Sequence, residues 1–161
     1  MYRGIMSKKG LSEDITITKT SSGSFYGIIS TNWNSHIVDV LKENAISALL
    51  ENGVDESHII QRVVPGAFEL PVAAKNLCPD VDAVIALGAI IKGETPHFDF
   101  ISQACSIGLM QASLETSKPV LFGVLTTENE QQAKDRASAK KQNKGRELAL
   151  SALQMVELLR K

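Results

Sequence analysis

The stretch Ala83-Val-Ile-Ala-Leu-Gly-Ala-Ile-Ile91 carries no charge and no polar side chain. It is far too short to cross a bilayer, which takes about 20 residues, and no other apolar run in the chain approaches that length. A strand apolar on both faces is covered by helices from both sides, as in the middle of a parallel sheet. Working outward, residues 25–30 (FYGIIS) read as a first strand, 58–64 as a second and 119–125 (PVLFGVL) as a fourth. Helical spacing fills the gaps between them. Ser35 stands as a cap before Ile37, Val38, Leu41, Ala45, Ile46 and Leu49, and Gly53 closes that helix. A short helix is expected over 71–78, where Pro71 occupies the first turn and its missing N–H is tolerated. Longer helices are expected over 99–115, 128–139 and 144–159.

This alternation predicts an α/β fold: a three-layer, flavodoxin-like sandwich whose four parallel strands run in the order 2-1-3-4, with helices on both faces. The 161 residues suit a single domain, with 1–14 expected as a flexible tail. Ile15 and Ile17 alternate with Thr16 and Thr18, the pattern of an added edge strand on this sheet or a neighbour's. Apolar residues at 43% and charged residues at 22% are ordinary globular values. A formal charge of −1 offers no general attraction to nucleic acid or to an anionic membrane. Lys8 and Lys9 precede no apolar core of a signal peptide. Cys78 and Cys105 form no CxxC pair, so reduced, buried thiols and a cytoplasmic location are expected.

In open α/β sheets ligands bind beyond the carboxyl ends of the strands, where the strand order reverses. The four loops there are Thr31-Asn-Trp-Asn34, Pro65-Gly-Ala-Phe-Glu69, Lys92-Gly-Glu-Thr-Pro-His97 and Thr126-Thr-Glu-Asn129. They gather an aromatic ring, an acid, a base and a cation. The first loop has no glycine, which excludes a dinucleotide fingerprint and a P-loop. It is also unlike a flavin-phosphate loop, and no aspartate cluster marks a phosphate-accepting receiver. His97 and Asp99 have no second His or Cys nearby, so no metal is expected.

His97 reads either as a general acid–base, since an imidazole both takes and gives protons near neutrality, or as a solvent-bonded loop histidine. His36 and His58 read as structural. Glu94 and Thr95 lie at an expected helix start, where free N–H groups cradle anions or are simply capped. Arg136 and Lys144 offer cations to a phosphate, while Lys140 and Lys141 read as a solvated face. Trp33 and Phe122 have rings to stack on a flat heterocycle, although a strand Phe is more often core. Together these residues suggest a planar ring, a small phosphate and a proton-transferring base.

At these residues the chain resembles the lumazine synthase family. The matching segments are 64–71 (VPGAFELP), 88–99 (GAIIKGETPHFD), 122–133 (FGVLTTENEQQA) and 143–145 (NKG). They fall in order from about Ile15 to the end of the chain. The resemblance implies a transferase of riboflavin biosynthesis. It would condense 5-amino-6-(D-ribitylamino)uracil with 3,4-dihydroxy-2-butanone 4-phosphate to 6,7-dimethyl-8-ribityllumazine, releasing phosphate and water, with no cofactor. By the same resemblance Trp33 stacks on the pyrimidine, and Ala67, Phe68 and Glu69 line the ribityl and ring pocket. Ala89, Ile90 and Ile91 give backbone contacts, and Lys144, Glu147 and a neighbouring subunit's Phe122 complete that side. Glu94, Thr95 and Arg136 hold the butanone phosphate, and His97 is the acid–base residue. Trp33 replaces the commoner Phe, which widens the stack towards flavin-like ligands. Lys92 stands where Arg is frequent, and Ser138 and Gln142 replace glycines in the last helix–helix turn. The rival expectation is a non-catalytic flavin- or pyrimidine-binding shell protein of the same fold.

Two helices are apolar nearly all round, the one after His97 and the last one, where Leu148 to Leu159 leave a narrow polar strip. A soluble monomer rarely exposes such surface, so an oligomer with intersubunit sites is expected. The resemblance makes it a homopentamer or a 60-subunit icosahedral capsid, with association to riboflavin synthase as a further implied partner.

Overall fold

A computed structural model describes residues 23–160. The proposed tail over 1–14 and the edge-strand pattern at Ile15 and Ile17 lie outside these residues. The strands are β1 (Tyr26–Thr31), β2 (Ile59–Val64), β3 (Ala83–Ile91) and β4 (Val120–Thr127), and the helices are α1 (Ser35–Glu51), α2 (Leu70–Leu77), α3 (His97–Thr116), α4 (Glu130–Ala137) and α5 (Lys144–Leu159). The sheet is parallel in the order β2-β1-β3-β4, as expected. Tyr26 pairs with both Ile59 and Ala83, and β3 pairs with β4 from Val84–Val120 to Ile91–Thr127.

The period-2 geometry of a strand sends successive side chains to opposite faces, and β3 supplies both cores at once. Ala83, Ile85, Leu87 and Ala89 join the core under α1, α4 and α5. Val84 and Ala86 join the one under α2 and α3. Each face thus closes its own hydrophobic layer, which is why β3 reads as unbroken apolar sequence. Both cysteines are free and buried in the α2–α3 layer.

Several expectations shift. Ser35 is the first residue of α1 rather than its cap, and Asn34 takes the cap position with a left-handed backbone, φ 57°. α3 starts at His97 instead of Asp99, with Pro96 at its cap. A 3-10 turn over Glu56–His58 takes the start of the expected second strand. α5 keeps its expected bounds, but its wide apolar surface is largely covered within the chain. Ala149, Ala152, Leu153 and Val156 are buried against α1 and the sheet, Leu148 and Leu150 pack partly on the same core, and only Leu158 and Leu159 stand exposed. The second partner inferred for α5 is therefore mostly its own α1. α3 differs. Its Cys105, Leu109 and Ala112 are buried, whereas Phe100, Ile107, Met110 and Leu114 form an exposed apolar stripe, each more than 60% exposed. Among the described residues no helix is long and apolar enough to cross a membrane.

Candidate active site

The order reverses between β1 and β3, and a crevice of about 460 Å³ opens at their carboxyl ends. Three segments and a helix wall build it. Thr31, Trp33 and Asn34 follow β1, Pro65 to Glu69 follow β2, Ala89 to Ile91 end β3, and His97 and Ile101 come from the start of α3.

The β1 loop is tightly held. Asn32 N–H donates to the Val64 carbonyl at 2.8 Å and Trp33 N–H to the Pro65 carbonyl at 3.1 Å. The Thr31 hydroxyl donates to the Trp33 carbonyl at 3.1 Å. Trp33 itself is 73% exposed. A large ring on a fixed backbone with so little cover is a platform for a flat partner. Gly66 lies against its edge, where a Cβ would stand 3.3 Å from Trp33 Cε3. Glu69 Oε2 accepts from the Gly66 N–H at 2.9 Å, which ties the β2 loop into a turn and engages one of the two carboxylate oxygens. Phe68 is 61% exposed on the same wall.

His97 lines this crevice on the first turn of α3, exposed to solvent. Glu94 and Thr95 are exposed on the loop leading into it and do not line the crevice. Because Pro96 caps α3, the first free N–H groups of the helix begin at His97, two residues beyond Thr95 and three beyond Glu94. Lys92 pairs with Glu128 at 3.2 Å, joining the loops after β3 and β4.

The remaining expected residues gather elsewhere. Phe122, Arg136, Lys144 and Glu147 line a second hollow of about 200 Å³ along the open edge at β4, between that strand and α4–α5. None of the four lines the first crevice. The turn joining α4 to α5 is closed by backbone bonds from Gln142 N–H to Asp135 and from Asn143 N–H to Ser138. Ser138 and Gln142 therefore do not separate Arg136 from Lys144. Lys144 Nζ pairs with both Glu147 carboxylate oxygens at 2.9 Å, an ion pair one helical turn long and mostly shielded from solvent. Phe122, on the edge strand, is 44% exposed and no core residue.

The residues read as structural behave so. His58 stacks on Phe25 with ring centroids 4.2 Å apart. His36 sits 2.8 Å from Glu130. Lys141 pairs with Asp135 at 2.6 Å, and with Gln131 holds that carboxyl below its ordinary range. Among the described residues no three His, Cys, Asp or Glu side chains come together as metal ligands would. Spacing overlooked Asn34, whose side chain reaches the end of β3. Its Nδ2 donates to the Ala89 carbonyl at 2.8 Å, and that bond alone marks it out and is not visible in sequence.

Comparison with known proteins identifies the family. The family profile described as 6,7-dimethyl-8-ribityllumazine synthase matches residues 24–160. A protein of that name from Cytophaga hutchinsonii is 49% identical over 137 residues, covering 84% of this chain and 86% of its own length. Proteins of the same name from two strains of Thermus thermophilus are 46% identical over 142 residues, 87% of this chain and 90% of theirs. A parallel 2-1-3-4 sheet, a crevice at its reversal point lined by Trp33 and His97, and this similarity along nearly the whole described chain have one reading: the chain belongs to the 6,7-dimethyl-8-ribityllumazine synthase family.

Proposed function

We propose that this chain is a transferase of riboflavin biosynthesis. It condenses 5-amino-6-(D-ribitylamino)uracil with 3,4-dihydroxy-2-butanone 4-phosphate, giving 6,7-dimethyl-8-ribityllumazine, phosphate and two molecules of water. The observation that carries this is the meeting, in one crevice, of the Trp33 platform, the Ala89–Ile91 backbone and the His97 imidazole. The pyrimidine stacks on Trp33 and takes backbone contacts from Ala89, Ile90 and Ile91. Its ribityl chain runs along Ala67, Phe68 and the second oxygen of Glu69. The pyrimidine's own amine is the nucleophile, so the protein's task is to orient two reactants and to move protons. His97, at the crevice mouth, takes a proton from the attacking amine and returns it to the departing oxygen. The phosphate of the four-carbon substrate rests against Glu94, Thr95 and the first N–H groups of α3.

Arg136, Lys144, Glu147 and Phe122 line a different hollow of the same chain, so they serve a site by facing the crevice of a neighbouring copy. Arg136 then meets the phosphate, and Phe122 closes over the ring. The uncovered stripe on α3 supports such an assembly, either a homopentamer or a 60-subunit capsid, the latter with room to associate with riboflavin synthase. A cytoplasmic location fits the two free thiols.

The experiment is direct. Both substrates are mixed with the protein and the fluorescence of the lumazine product is followed. Product at a rate proportional to protein is expected. Tight binding of the pyrimidine with no product from the folded assembly would instead identify a non-catalytic binding protein.

A further inference from the structure

Three helices begin at an asparagine, and two of these residues do the same job. Asn129 accepts a hydrogen bond from Gln132 N–H before α4, and Asn143 accepts one from Arg146 N–H before α5. This is how asparagine caps a helix. Asn34 does not. Its side chain makes no cap bond to α1, and its Nδ2 donates instead to the Ala89 carbonyl at 2.8 Å, across 55 residues of sequence. Its backbone is left-handed, at φ 57° and ψ 35°. That region is unfavourable for L residues and least so for Asn, after Gly. Asn143 shares that backbone, at φ 45°, and still caps its helix, so what sets Asn34 apart is its side chain, turned away from its own helix to another strand at the wall of a crevice.

The reason is legible from its neighbours. Asn34 follows Trp33 directly, and Ala89 opens the β3 edge that faces the same crevice. β1 and β3 pair only as far as Ser30 with Leu87, so beyond that point the strand ladder no longer fixes the distance between the two walls. The Asn34–Ala89 bond supplies the missing rung. Trp33 is already anchored towards β2 through Pro65 and towards its own strand through Thr31. Asn34 fixes it towards β3.

We infer that Asn34 is a positioning residue that sets the gap between the Trp33 ring and the Ala89–Ile91 backbone, and with it the affinity for the planar substrate. It acts through Trp33 and Ala89 and need not touch the reacting atoms. This inference rests on the crevice being the pyrimidine site.

The test uses two variants and the chain's single tryptophan, Trp33, as the reporter. N34G keeps the left-handed backbone available and removes only the amide. N34D keeps the shape but has no donor for the Ala89 carbonyl, and its carboxylate is free to turn and cap α1. In the ligand-free assembly, Trp33 fluorescence anisotropy and protection from acrylamide are expected to fall in both. Pyrimidine KM, and Kd read by Trp33 quenching, are expected to rise about 3- to 10-fold, the effect of losing one hydrogen bond. The KM for the four-carbon phosphate and kcat should change less than twofold. N34D should melt no lower than wild type while still binding the pyrimidine more weakly, a split that a merely structural tie would not produce. Unchanged anisotropy and unchanged pyrimidine Kd in N34G overturn the inference, as does a common loss of stability and of both KM values in N34D. If wild type makes no product, the fluorescence arm still decides whether Asn34 positions Trp33, and the failure then belongs to the proposed reaction.

Discussion

Replacing His97 by alanine is expected to slow turnover by about 10²-fold or less. Positioned acid–base groups typically contribute ~10²–10⁴, and here an amine and a ketone already condense once the pocket has oriented them. Steady-state kcat of the folded variant checks this, and an unchanged kcat would remove the imidazole from the mechanism. Arg136→Ala is expected to raise KM for the phosphorylated substrate by about one to two decades, the worth of a charge-assisted bond, and to leave pyrimidine affinity nearly intact. The reverse pattern would mean that the β4-edge hollow holds the other ligand. Tyr26 gives a third expectation. It is fully buried, and burial, reinforced by Asp82 and only partly offset by the nearby Ser24 hydroxyl and Arg160, pushes its pKa up from 10.0 to about 12. Unfolding frees the phenol to ionise near its ordinary value. Tyr26 therefore stabilises the fold fully below pH 10, and the contribution is lost as pH rises from 10 to 12, on the order of 2 kcal/mol. Y26F should lack this part of the alkaline loss, because it has no phenol to ionise. Denaturant titrations of both proteins at pH 8 and pH 11 decide the matter.

At the scale of elements, α1 and α5 meet at Gly145, where the seam has no room for a side chain. A Cβ there would run into the Leu41 carbonyl oxygen and stand 3.0 Å from Asn44 Cβ. Asn44 also donates from Nδ2 to the Ala137 carbonyl at 2.9 Å, and Arg146 pairs with Glu51 across the same seam. Gly145→Ala is expected to cost roughly 1–3 kcal/mol by overpacking this seam, read as a fall in thermal midpoint. The same shift carries Lys144 and Glu147 with it, so activity should drop at temperatures where the variant is still folded. No change in either quantity would mean that the seam yields at no cost. This close seam is also why so apolar a helix as α5 needs little cover from outside the chain.

At the scale of the whole molecule, two features of the chain stay unfinished. The α3 stripe of Phe100, Ile107, Met110 and Leu114 is exposed, and the expected site residues other than Glu94 and Thr95 divide between two hollows. A closed ring of identical copies would satisfy both, since it covers the stripe and brings one copy's cations to the next copy's crevice. With 17.4 kDa per chain, wild type is expected to sediment as a pentamer of about 87 kDa or a 60-subunit particle of about 1.0 MDa. Placing charges in the stripe, as in I107D/M110E, should release smaller species and abolish turnover together. An active species of 17 kDa would defeat the shared-site reading.

Much of this protein is written in local pattern. The uninterrupted apolar run of β3 and the helical spacing of α5 match their elements residue for residue, because period and hydrophobicity act within a few residues of one another. The strand order follows too, since right-handed crossovers leave few alternatives. So does the list of residues able to stack, hold an anion or move a proton, because those abilities belong to the side chains themselves. What the tertiary structure alone decided is which of them meet. Trp33 and His97 share a crevice, while Arg136 and Lys144 open on another side of the sheet. α5 is covered by α1, and α3 keeps a bare face. Asn34, an ordinary helix-capping residue by sequence, reaches Ala89 instead. Each of these outcomes turns on how elements dock across 55 or more residues of chain, as the Asn34–Ala89 and Asn44–Ala137 bonds do. Docking is set by the packing of whole faces against one another, a quantity that no short window of sequence contains.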